Sequence, residues 1–376
     1  MNSLPLLTLL TLLPLLGGVL VICLGGENKK AARGLALGFS FVALAVTLFI
    51  WKAFDVSSGV LQLGERHLWI PTLGIEYRVG IDGLGLLMLL LTAIITPMAI
   101  LAAWRTEDRP QIYFGLVLFL QAGLFGTFTA LNFFHWFLFW ELSLIPAFFL
   151  VRLWGGAQRA PAATQFFVYT MVGSVGLLLA FLAIFLATGQ VSDFTKLADM
   201  ARNHELIPAL GAKLSWLGLS TNQLAMMIFL GALLGFAVKV PLMPFHTWLP
   251  ATYAEAPSGT TMLLTGVMSK MGVYGFLRIL LPIFPDQIQW LRTPLLVLAV
   301  VTIVFSASAA FAQKDLKRML AYSSINHLGY CLLAIFAVAT SAITVASPAV
   351  EKAAALNGVL LQMFNHGLTA ATLFWF

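Results

Sequence analysis

Three ionisable residues stand inside long apolar runs of the sequence, where an unpaired charge is costly. Glu141 lies within FLFWELSLIPAFFL, Lys239 within LLGFAVKVPLMPFHTWLP and Lys270 within TMLLTGVMSKMGVYGFL. Carboxylates and amines in an apolar medium are typical of ion pathways, because each can bind and release a proton. The alternative is that each is a buried polar group tying two helices together. Three costly charges in separate runs favour the ion pathway.

The sequence directly after Lys239 is rich in proline, with Pro241, Pro244 and Pro250. Pro241 has no backbone N–H and its ring clashes with the carbonyl four residues earlier, so a helix that reaches Lys239 must break or end there. At membrane depth, irregular backbone is tolerated only inside protein or beside water, and broken helices recur in transporters. This pattern indicates a hydrated ion site. The alternative is a lysine at the membrane interface followed by an ordinary loop.

The histidines and one arginine are weaker candidates. His327 and His366 stand singly in apolar runs, and His246 lies in the proline-rich stretch. A lone histidine in a helical bundle is often only a structural polar group. His135 and Arg278 lie near the ends of apolar runs, from which amphipathic side chains can reach the membrane interface.

Motifs for nucleotide, metal or cofactor chemistry are absent from the sequence. It has no GxxxxGK[ST] or GxGxxG pattern and no His/Cys cluster with the spacing of metal ligands. Cys23 and Cys331 lie alone in apolar segments, so neither a disulfide framework nor a zinc site follows. We therefore expect no cofactor and no metal in this chain, and any coupled redox chemistry must happen elsewhere.

The composition places these residues in a membrane. Of 376 residues, 60% are hydrophobic and 10% are charged, and the mean hydropathy is +0.94. Soluble domains carry about 25% charged residues. A soluble domain, a disordered chain and a nucleic-acid-binding protein are therefore excluded. The chain is predicted to be an all-α, polytopic membrane helical bundle in contact with lipid.

Eleven apolar runs are long enough to cross about 30 Å of hydrocarbon. They are 4–24, 33–54, 84–104, 112–131, 133–152, 166–188, 222–240, 258–281, 293–312, 322–344 and 353–376. Residues 191–206 mix apolar and charged side chains as a surface helix does, although a polar loop with one helical turn fits equally well. Gly231 with Gly235, and Gly173 with Gly176, would let neighbouring helices approach closely, although glycines are common in any membrane helix.

Basic residues in short loops predict the orientation of the chain. Ten of them fall in the loops after the first, third, fifth and ninth runs, whereas the other side has fewer, diluted over 55–83 and 189–221. The ten are Lys29, Lys30, Arg33, Arg105, Arg109, Arg152, Arg159, Lys314, Lys317 and Arg318. The N-terminus is therefore expected on the outer side, with the basic loops in the cytoplasm.

Five segments resemble the antiporter-like membrane subunits of respiratory complex I, most closely the subunit M type of proton-translocating NADH-quinone oxidoreductase. They are FWELSLIPAFFLVRLWG (139–155), GFAVKVPLMPFHTWLP (235–250), EAPSGTTMLLTGVMSKMGVYGFLRI (255–279), AQKDLKRMLAYSSINHLGYCLLAI (312–335) and MFNHGLTAATLF (363–374). The resemblance covers most of the chain from about residue 80. It implies a fold of fourteen helices with a broken transmembrane helix, in which helices 4–8 and 9–13 form inverted five-helix repeats.

On this sequence the resemblance implies three regions. Helices 1–3 occupy 1–111, the first repeat occupies 112–281 with the amphipathic segment near 191–206, and helices 9–11 of an incomplete second repeat occupy 293–376. The chain ends in ATLFWF, inside an apolar run. We therefore expect the C-terminal part to be missing, including a second broken helix whose acidic residue finishes the proton path.

The resemblance also implies roles for individual residues. Glu141 matches a glutamate that pairs with the broken-helix lysine, Lys239 matches that lysine, and Lys270 matches the central lysine of the next helix. His327 and His366 match polar residues on a hydrated axis toward the next half-channel.

The stretch after the broken helix follows the family only in part. His246 and Trp248 match its HTW motif, which, with Pro241, Pro244 and Pro250, is structural rather than catalytic. The family usually continues with LPDAH, whereas residues 249–253 read LPATY. The acidic and histidine positions are lost, which puts a role for charges in that loop in doubt.

The function implied is proton translocation within an NADH- or ferredoxin-quinone oxidoreductase, as a subunit without a redox site. Burial disfavours a lysine's charge and a nearby carboxylate favours it, so Glu141 would be the electrostatic switch, Lys239 the proton-loading site and Lys270 the relay. FMN, iron–sulfur clusters and quinone are expected in the parent hetero-oligomer, and neighbouring antiporter-like subunits as partners. The location implied is a bacterial plasma membrane or thylakoid.

Two other functions remain open at this point. The family shares its descent with subunits of multi-subunit Na⁺/H⁺ antiporters and of membrane-bound hydrogenases. A helical bundle that only supports such a complex, without transport, is the third hypothesis.

Overall fold

The computed structural model describes residues 4–26, 28–339 and 349–376. The helices are α1 (Leu6–Ile22), α2 (Lys29–Ala53), α3 (Gly83–Ala102), α4 (Pro110–Thr129), α5 (Phe133–Trp154), α6 (Arg159–Ala187), α7 (Phe194–Arg202), α8 (Leu206–Leu214), α9 (Thr221–Lys239), α10 (Trp248–Glu255), α11 (Ser258–Ile283), α12 (Pro285–Trp290), α13 (Arg292–Phe311), α14 (Leu316–Val338) and α15 (Ala349–Trp375). Two strands, β1 (Gln62–Ile70) and β2 (Ile75–Ile81), form an antiparallel hairpin.

The predicted polytopic helical fold is confirmed. Within the described ranges, nine helices are long and apolar enough to cross a membrane, namely α2–α6, α9, α11, α13 and α14. The other two predicted spans are also helical, with 17 residues in α1 and 27 in α15.

Some helix ends differ from the predicted ones. The span predicted at 166–188 begins at Arg159, because the polar residues of its first turns interrupt the apolar run without interrupting the helix. The span predicted at 322–344 is Leu316–Val338 for the same reason. Its predicted residues 340–344 lie outside the described residues.

The bundle has an inner and an outer set of helices. The most apolar windows of α4 and α11 are 83% and 89% buried, whereas those of α2 and α13 are only 28% and 22% buried. Apolar side chains therefore cover the outside of α2 and α13, as lipid-facing helices require. The inner helix α11 is the one that carries Lys270.

The four glycines noted in the sequence bring α6 and α9 together. A Cβ at Gly231 would lie 3.0 Å from the Gly176 carbonyl oxygen. A Cβ at Gly235 would lie 2.9 Å from the Gly173 carbonyl oxygen and 2.8 Å from Leu177 Cβ. The backbones approach too closely for larger side chains, so these glycines set the position of α9.

Replacing Gly235 with alanine is expected to destabilise the protein by about 1–3 kcal/mol, the usual effect of overpacking a filled contact. Thermal unfolding of the detergent-solubilised protein would measure it as a lower Tm. The matched control is Gly38→Ala in α2, because no atom lies within 4 Å of a Cβ built there. Equal Tm values for the two variants would contradict the prediction, because the α6–α9 contact would then accommodate the added methyl group without loss of stability.

The hairpin was not predicted from the 55–83 region. The β1 residue Glu65 accepts a hydrogen bond from Leu7 N at 2.8 Å, so its carboxylate caps the start of α1. On β2, Arg78 pairs with Asp193, the N-cap residue of α7. The amphipathic segment near 191–206 is thus the helix α7, which is fastened to the hairpin, and a second short helix, α8, follows it.

Two residues expected at the membrane interface contact other elements of the fold, Arg278 as a partly buried side chain and His135 as a buried one. Arg278 Nη2 lies 2.5 Å from Oδ1 of Asp82, whose side chain also caps α3 by accepting from Gly85 N at 3.0 Å. His135 is 4% exposed, and its ring lies 4.6 Å from that of Tyr77 on the hairpin. Each side chain contacts a polar or aromatic partner in a distant segment of the chain. The position of a residue within its own helix does not predict such a partner.

Candidate functional site

Helix α9 ends at Lys239 because the residues that follow cannot continue its hydrogen bonding. Pro241 offers no N–H, and Leu242 N reaches the Ala237 carbonyl at 2.9 Å, one residue further back than in an α-helix. Pro244 lies in the turns that follow. The helix therefore ends where Pro241 predicts, and it leaves a 3% exposed lysine as its last residue.

The groups freed by this break find partners in the segment after it. The Val238 carbonyl accepts from Trp248 Nε1 at 3.0 Å, and Met243 N donates to Thr302 Oγ1 on α13 at 3.1 Å. Trp248 is buried. Pro250 lies in the first turn of α10, where its missing N–H is not needed. Trp248 thus stabilises the break through its indole.

Lys239 lies against an aromatic ring of α5. Its Nζ is 4.9 Å from the ring centroid of Trp140, a cation–π contact that is strongest where water is excluded. The Trp140 indole is held in turn by Ser174 on α6, whose Oγ accepts from its Nε1 at 3.1 Å. The sequence analysis did not predict a role for Trp140, although its position directly before Glu141 could have indicated one.

Glu141 is half-buried beside this group and forms no direct ion pair with Lys239. No carboxylate oxygen lies within 4.0 Å of Lys239 Nζ in the part of the chain that the structure describes. The two charges still interact electrostatically, and Glu141 Oε1 is buried without a hydrogen bond. The pairing implied by the resemblance is therefore an interaction at a distance, beside the indole of Trp140.

Lys270 lies at an irregular turn inside α11 and is fully buried. Residues Leu264–Met268 form a π-helical turn, and Ser269 N bonds the Leu264 carbonyl at 3.0 Å. Lys270 Nζ donates to the Thr265 carbonyl at 2.5 Å and lies 3.3 Å from Ser269 Oγ. Such π turns are often found at functional sites. This one provides a carbonyl that holds the ammonium within the helix.

The helices that carry the two lysines pack closely against each other, at the end of α9 and the middle of α11. A Cβ at Gly272, two residues after Lys270, would lie 3.2 Å from Lys239 Cβ and 3.0 Å from Val240 N. The absence of a side chain at Gly272 therefore lets the end of α9 rest on α11.

His327 and His366 form a pair of tilted rings in electrostatic range of Lys270. Their ring centroids are 4.8 Å apart, and His327 Nδ1 lies 2.9 Å from Gln362 Nε2. His366 Nε2 is buried without a hydrogen bond. Both rings interact electrostatically with Lys270. The structure thus brings these two sequence candidates together with Lys270.

His246 is placed apart from this pair. It is 7% exposed, and its ring centroid lies 5.5 Å from that of Phe305 on α13. Its Nδ1 is buried without a hydrogen bond. The residue thus packs the segment after the break against α13.

The arrangement contains two groups of side chains that can exchange protons. Glu141 and Lys239, on either side of the Trp140 indole, form the first group, and Lys270 with His327 and His366 forms the second. Amines, carboxylates and imidazoles are the side chains that bind and release protons most readily. Their burial in an apolar bundle is typical of proton pathways through membranes.

Comparison with known proteins gives consistent matches. Residues 130–376 match the family model described as NADH:quinone oxidoreductase/Mrp antiporter, TM. The chain is 38% identical over 374 residues to NAD(P)H-quinone oxidoreductase chain 4 2 of Thermosynechococcus vestitus, covering 99% of this chain and 64% of that relative. It is also 38% identical over 376 residues to F(420)H(2) dehydrogenase subunit M of Methanosarcina mazei, covering 99% and 70%.

A solved structure supports the same relationship. A chain of respiratory complex I from Thermus thermophilus with bound NADH superimposes with a TM-score of 0.79 at 29% identity, covering 98% of this chain and 70% of that one. The chain spans 64% of the length of the first curated relative and 70% of the second. With most of its residues inside the matched family model, the chain belongs to the NADH:quinone oxidoreductase/Mrp antiporter transmembrane family.

Proposed function

We propose that the chain is a proton-translocating membrane-arm subunit of a quinone-reducing oxidoreductase complex, driven by NADH or ferredoxin. The observation that carries the proposal is the pair of buried lysines on touching helices, Lys239 at a helix break and Lys270 at a π turn. A buried amine can lose and regain a proton without leaving the bundle. The relatives named as quinone oxidoreductase subunits support the same function.

In the first step of the proposed mechanism, Glu141 controls the proton on Lys239. The face of Trp140 stabilises a desolvated ammonium by about 2 kcal/mol, and the carboxylate of Glu141 adds to it. If Glu141 moves away, Lys239 releases its proton more readily. Moving one charge across 100 mV requires about 2.3 kcal/mol, which corresponds to between one and two pKa units at about 1.4 kcal/mol each. The loss of one nearby buried charge is of this size.

In the second step the proton passes to Lys270 and then toward His327 and His366. Lys270 is the proposed relay because its helix packs against the end of α9 at Lys239, and its charge interacts with both histidines. Within this proposal, helices 1–3 occupy 1–111, the first inverted repeat occupies 112–281, and helices of the second occupy 293–376.

The redox chemistry belongs to other subunits of the proposed complex. FMN, iron–sulfur clusters and quinone would be held there, and the partners of this chain would be neighbouring antiporter-like subunits and lipid. One relative is named for NAD(P)H and quinone and another, at equal identity, for F(420)H(2). This type of subunit therefore serves complexes with different electron donors. The proposed location is a bacterial plasma membrane or thylakoid, with the N-terminus outside.

A second candidate is a subunit of a multi-subunit Na⁺/H⁺ antiporter or a membrane-bound hydrogenase. The observation that favours it is the family description, which names quinone oxidoreductases and Mrp antiporters together. In an antiporter, the same buried lysines would carry the protons that are exchanged for sodium ions. In a membrane-bound hydrogenase, they would carry protons driven by the oxidation of hydrogen.

Purification of the native complex through an affinity tag on this chain distinguishes the two candidates. We expect flavin absorbance, iron–sulfur signals in electron paramagnetic resonance and donor-to-quinone turnover to co-purify with the tagged chain. A strain without the tag is the control for adhering complexes. A purified complex that exchanges sodium for protons and contains neither flavin nor iron–sulfur clusters would contradict the oxidoreductase proposal and support the antiporter.

A further inference from the structure

A small cavity joins the surroundings of Lys239 to those of Lys270. It is lined by Lys239, Trp248, Tyr253, Leu264, Met268 and Ser269. About 10 Å³ of it is open to a water molecule, which is close to the minimum that holds one water. Lys270 is reached from the cavity through Ser269, whose Oγ lies 3.3 Å from Lys270 Nζ.

Tyr253 places a phenol in the wall of this cavity. The side chain is 1% exposed and its Oη donates to the Leu264 carbonyl at 3.1 Å. That carbonyl begins the π turn and also accepts from Ser269 N at 3.0 Å. The hydroxyls of Ser269 and Thr265 interact with the phenol. Tyr253 therefore lies where the cavity beside Lys239 meets the turn that holds Lys270.

We infer that Tyr253 is a proton-relay residue between Lys239 and Lys270, an inference that rests on the proposed function. An N–H bond of the Lys239 ammonium breaks, and its proton passes directly or through one water to the Tyr253 oxygen. The phenol O–H, which donates to the Leu264 carbonyl at rest, turns to the Ser269 hydroxyl and gives up its proton there. The Ser269 hydroxyl in turn gives its own proton to the neutral Lys270 amine. Each oxygen loses one O–H bond as it gains another. The result is a neutral Lys239 and a charged Lys270, without any oxidant or reductant.

The chemistry of a phenol suits this position. Its oxygen can accept one hydrogen bond while its O–H donates another, so it can pass a proton on without holding a charge between the two lysines. The LPDAH pattern of the family has a histidine where this chain has Tyr253. A histidine can also pass a proton, but it can retain a positive charge while doing so. Tyr253 thus places a side chain that can pass a proton, and that stays neutral, at this position of the pattern.

The test uses the intact complex in sealed vesicles and the variant Tyr253→Phe, which removes only the hydroxyl. The ring of Tyr253 packs 5.9 Å from that of Phe374, a contact that phenylalanine retains. We expect proton uptake per unit of donor turnover to fall at least about 100-fold, the lower end of what a positioned proton carrier contributes. Tyr253→His is expected to restore most of the uptake and to make it depend on pH between about 5 and 8.

Tyr322→Phe on α14 is the matched control, because Tyr322 is a partly buried tyrosine outside the proposed path. Unchanged pumping by assembled Tyr253→Phe would overturn the inference. Lost pumping without rescue by Tyr253→His, or failure of Tyr253→Phe to assemble, would overturn it too, because the hydroxyl would then only hold the π turn. Lys239→Ala is measured in parallel. If it also pumps normally, the proposed function itself fails, whereas lost pumping in Lys239→Ala alone leaves that function standing.

Discussion

Lys239→Ala in the intact complex is expected to lower donor-driven proton uptake by at least about 100-fold, because a positioned proton carrier contributes about 10²–10⁴-fold to a transfer step. The substitution removes the only amine at the helix break among the described residues. It also leaves the half-buried Glu141 without the opposite charge of Lys239, with which it interacts electrostatically. Donor-to-quinone turnover and proton uptake would be measured together in sealed vesicles.

Lys239→Arg tests whether pumping needs the exchangeable proton of Lys239 or only its positive charge. An arginine retains the cation and its contact with the Trp140 ring but cannot release a proton in a protein. We therefore expect assembly to survive and pumping to stay lost. Lys52→Ala at the exposed end of α2 is the control for removal of a lysine. Normal pumping by Lys239→Arg would contradict the role of Lys239 as the proton-loading site.

Lys270→Met is expected to abolish pumping with little effect on stability. Lys270 is fully buried, and its Nζ is held by one carbonyl, that of Thr265. Keeping a charge buried costs several kcal/mol of desolvation, and the Met side chain removes this cost while it fills a similar volume. The Thr265 carbonyl keeps its bond from Ser269 Oγ at 3.0 Å. Thermal unfolding and proton uptake would be measured on the same preparation.

These two readouts distinguish a relay from a structural bundle. If Lys270 only ties helices together, Lys270→Met should lower the Tm and leave coupled pumping intact in the complexes that assemble. If Lys270 carries protons, Lys270→Met should leave the Tm nearly unchanged and abolish coupled pumping. Lys213→Met at the exposed end of α8 is the control. Intact pumping in Lys270→Met would withdraw Lys270 from the proposed path.

The two lysines are stabilised in different ways, which gives the proposed path a direction. Lys239 has an aromatic face at 4.9 Å and the charge of Glu141 in electrostatic range. Lys270 has a carbonyl at 2.5 Å and interacts with the histidine pair. A change in the position of Glu141 therefore acts mainly on Lys239. In the proposed path, the proton is held at Lys239 while the Glu141 carboxylate is near, and moves toward Lys270 when the carboxylate moves away.

Much of the architecture follows from local sequence. All eleven apolar runs form helices within the described residues, because length and hydropathy are properties of a continuous segment. The break after Lys239 also follows locally, since a proline removes a hydrogen bond wherever it stands in a helix. The glycines of α6 and α9 could be recognised as small, but only the structure shows that Gly173 faces Gly235 and Gly176 faces Gly231.

The sequence by itself determined the membrane environment, the membrane-spanning helices, the break and the three ionisable residues within apolar runs, because each depends on neighbouring residues. Only the tertiary structure decided which groups meet. Arg278 and Asp82 are 196 positions apart and still form an ion pair. The indole of Trp140 lies beside Lys239, and Tyr253 reaches the π turn of Lys270. Such contacts depend on how whole helices pack, so the proposed proton path is a property of the assembled bundle and not of any single segment.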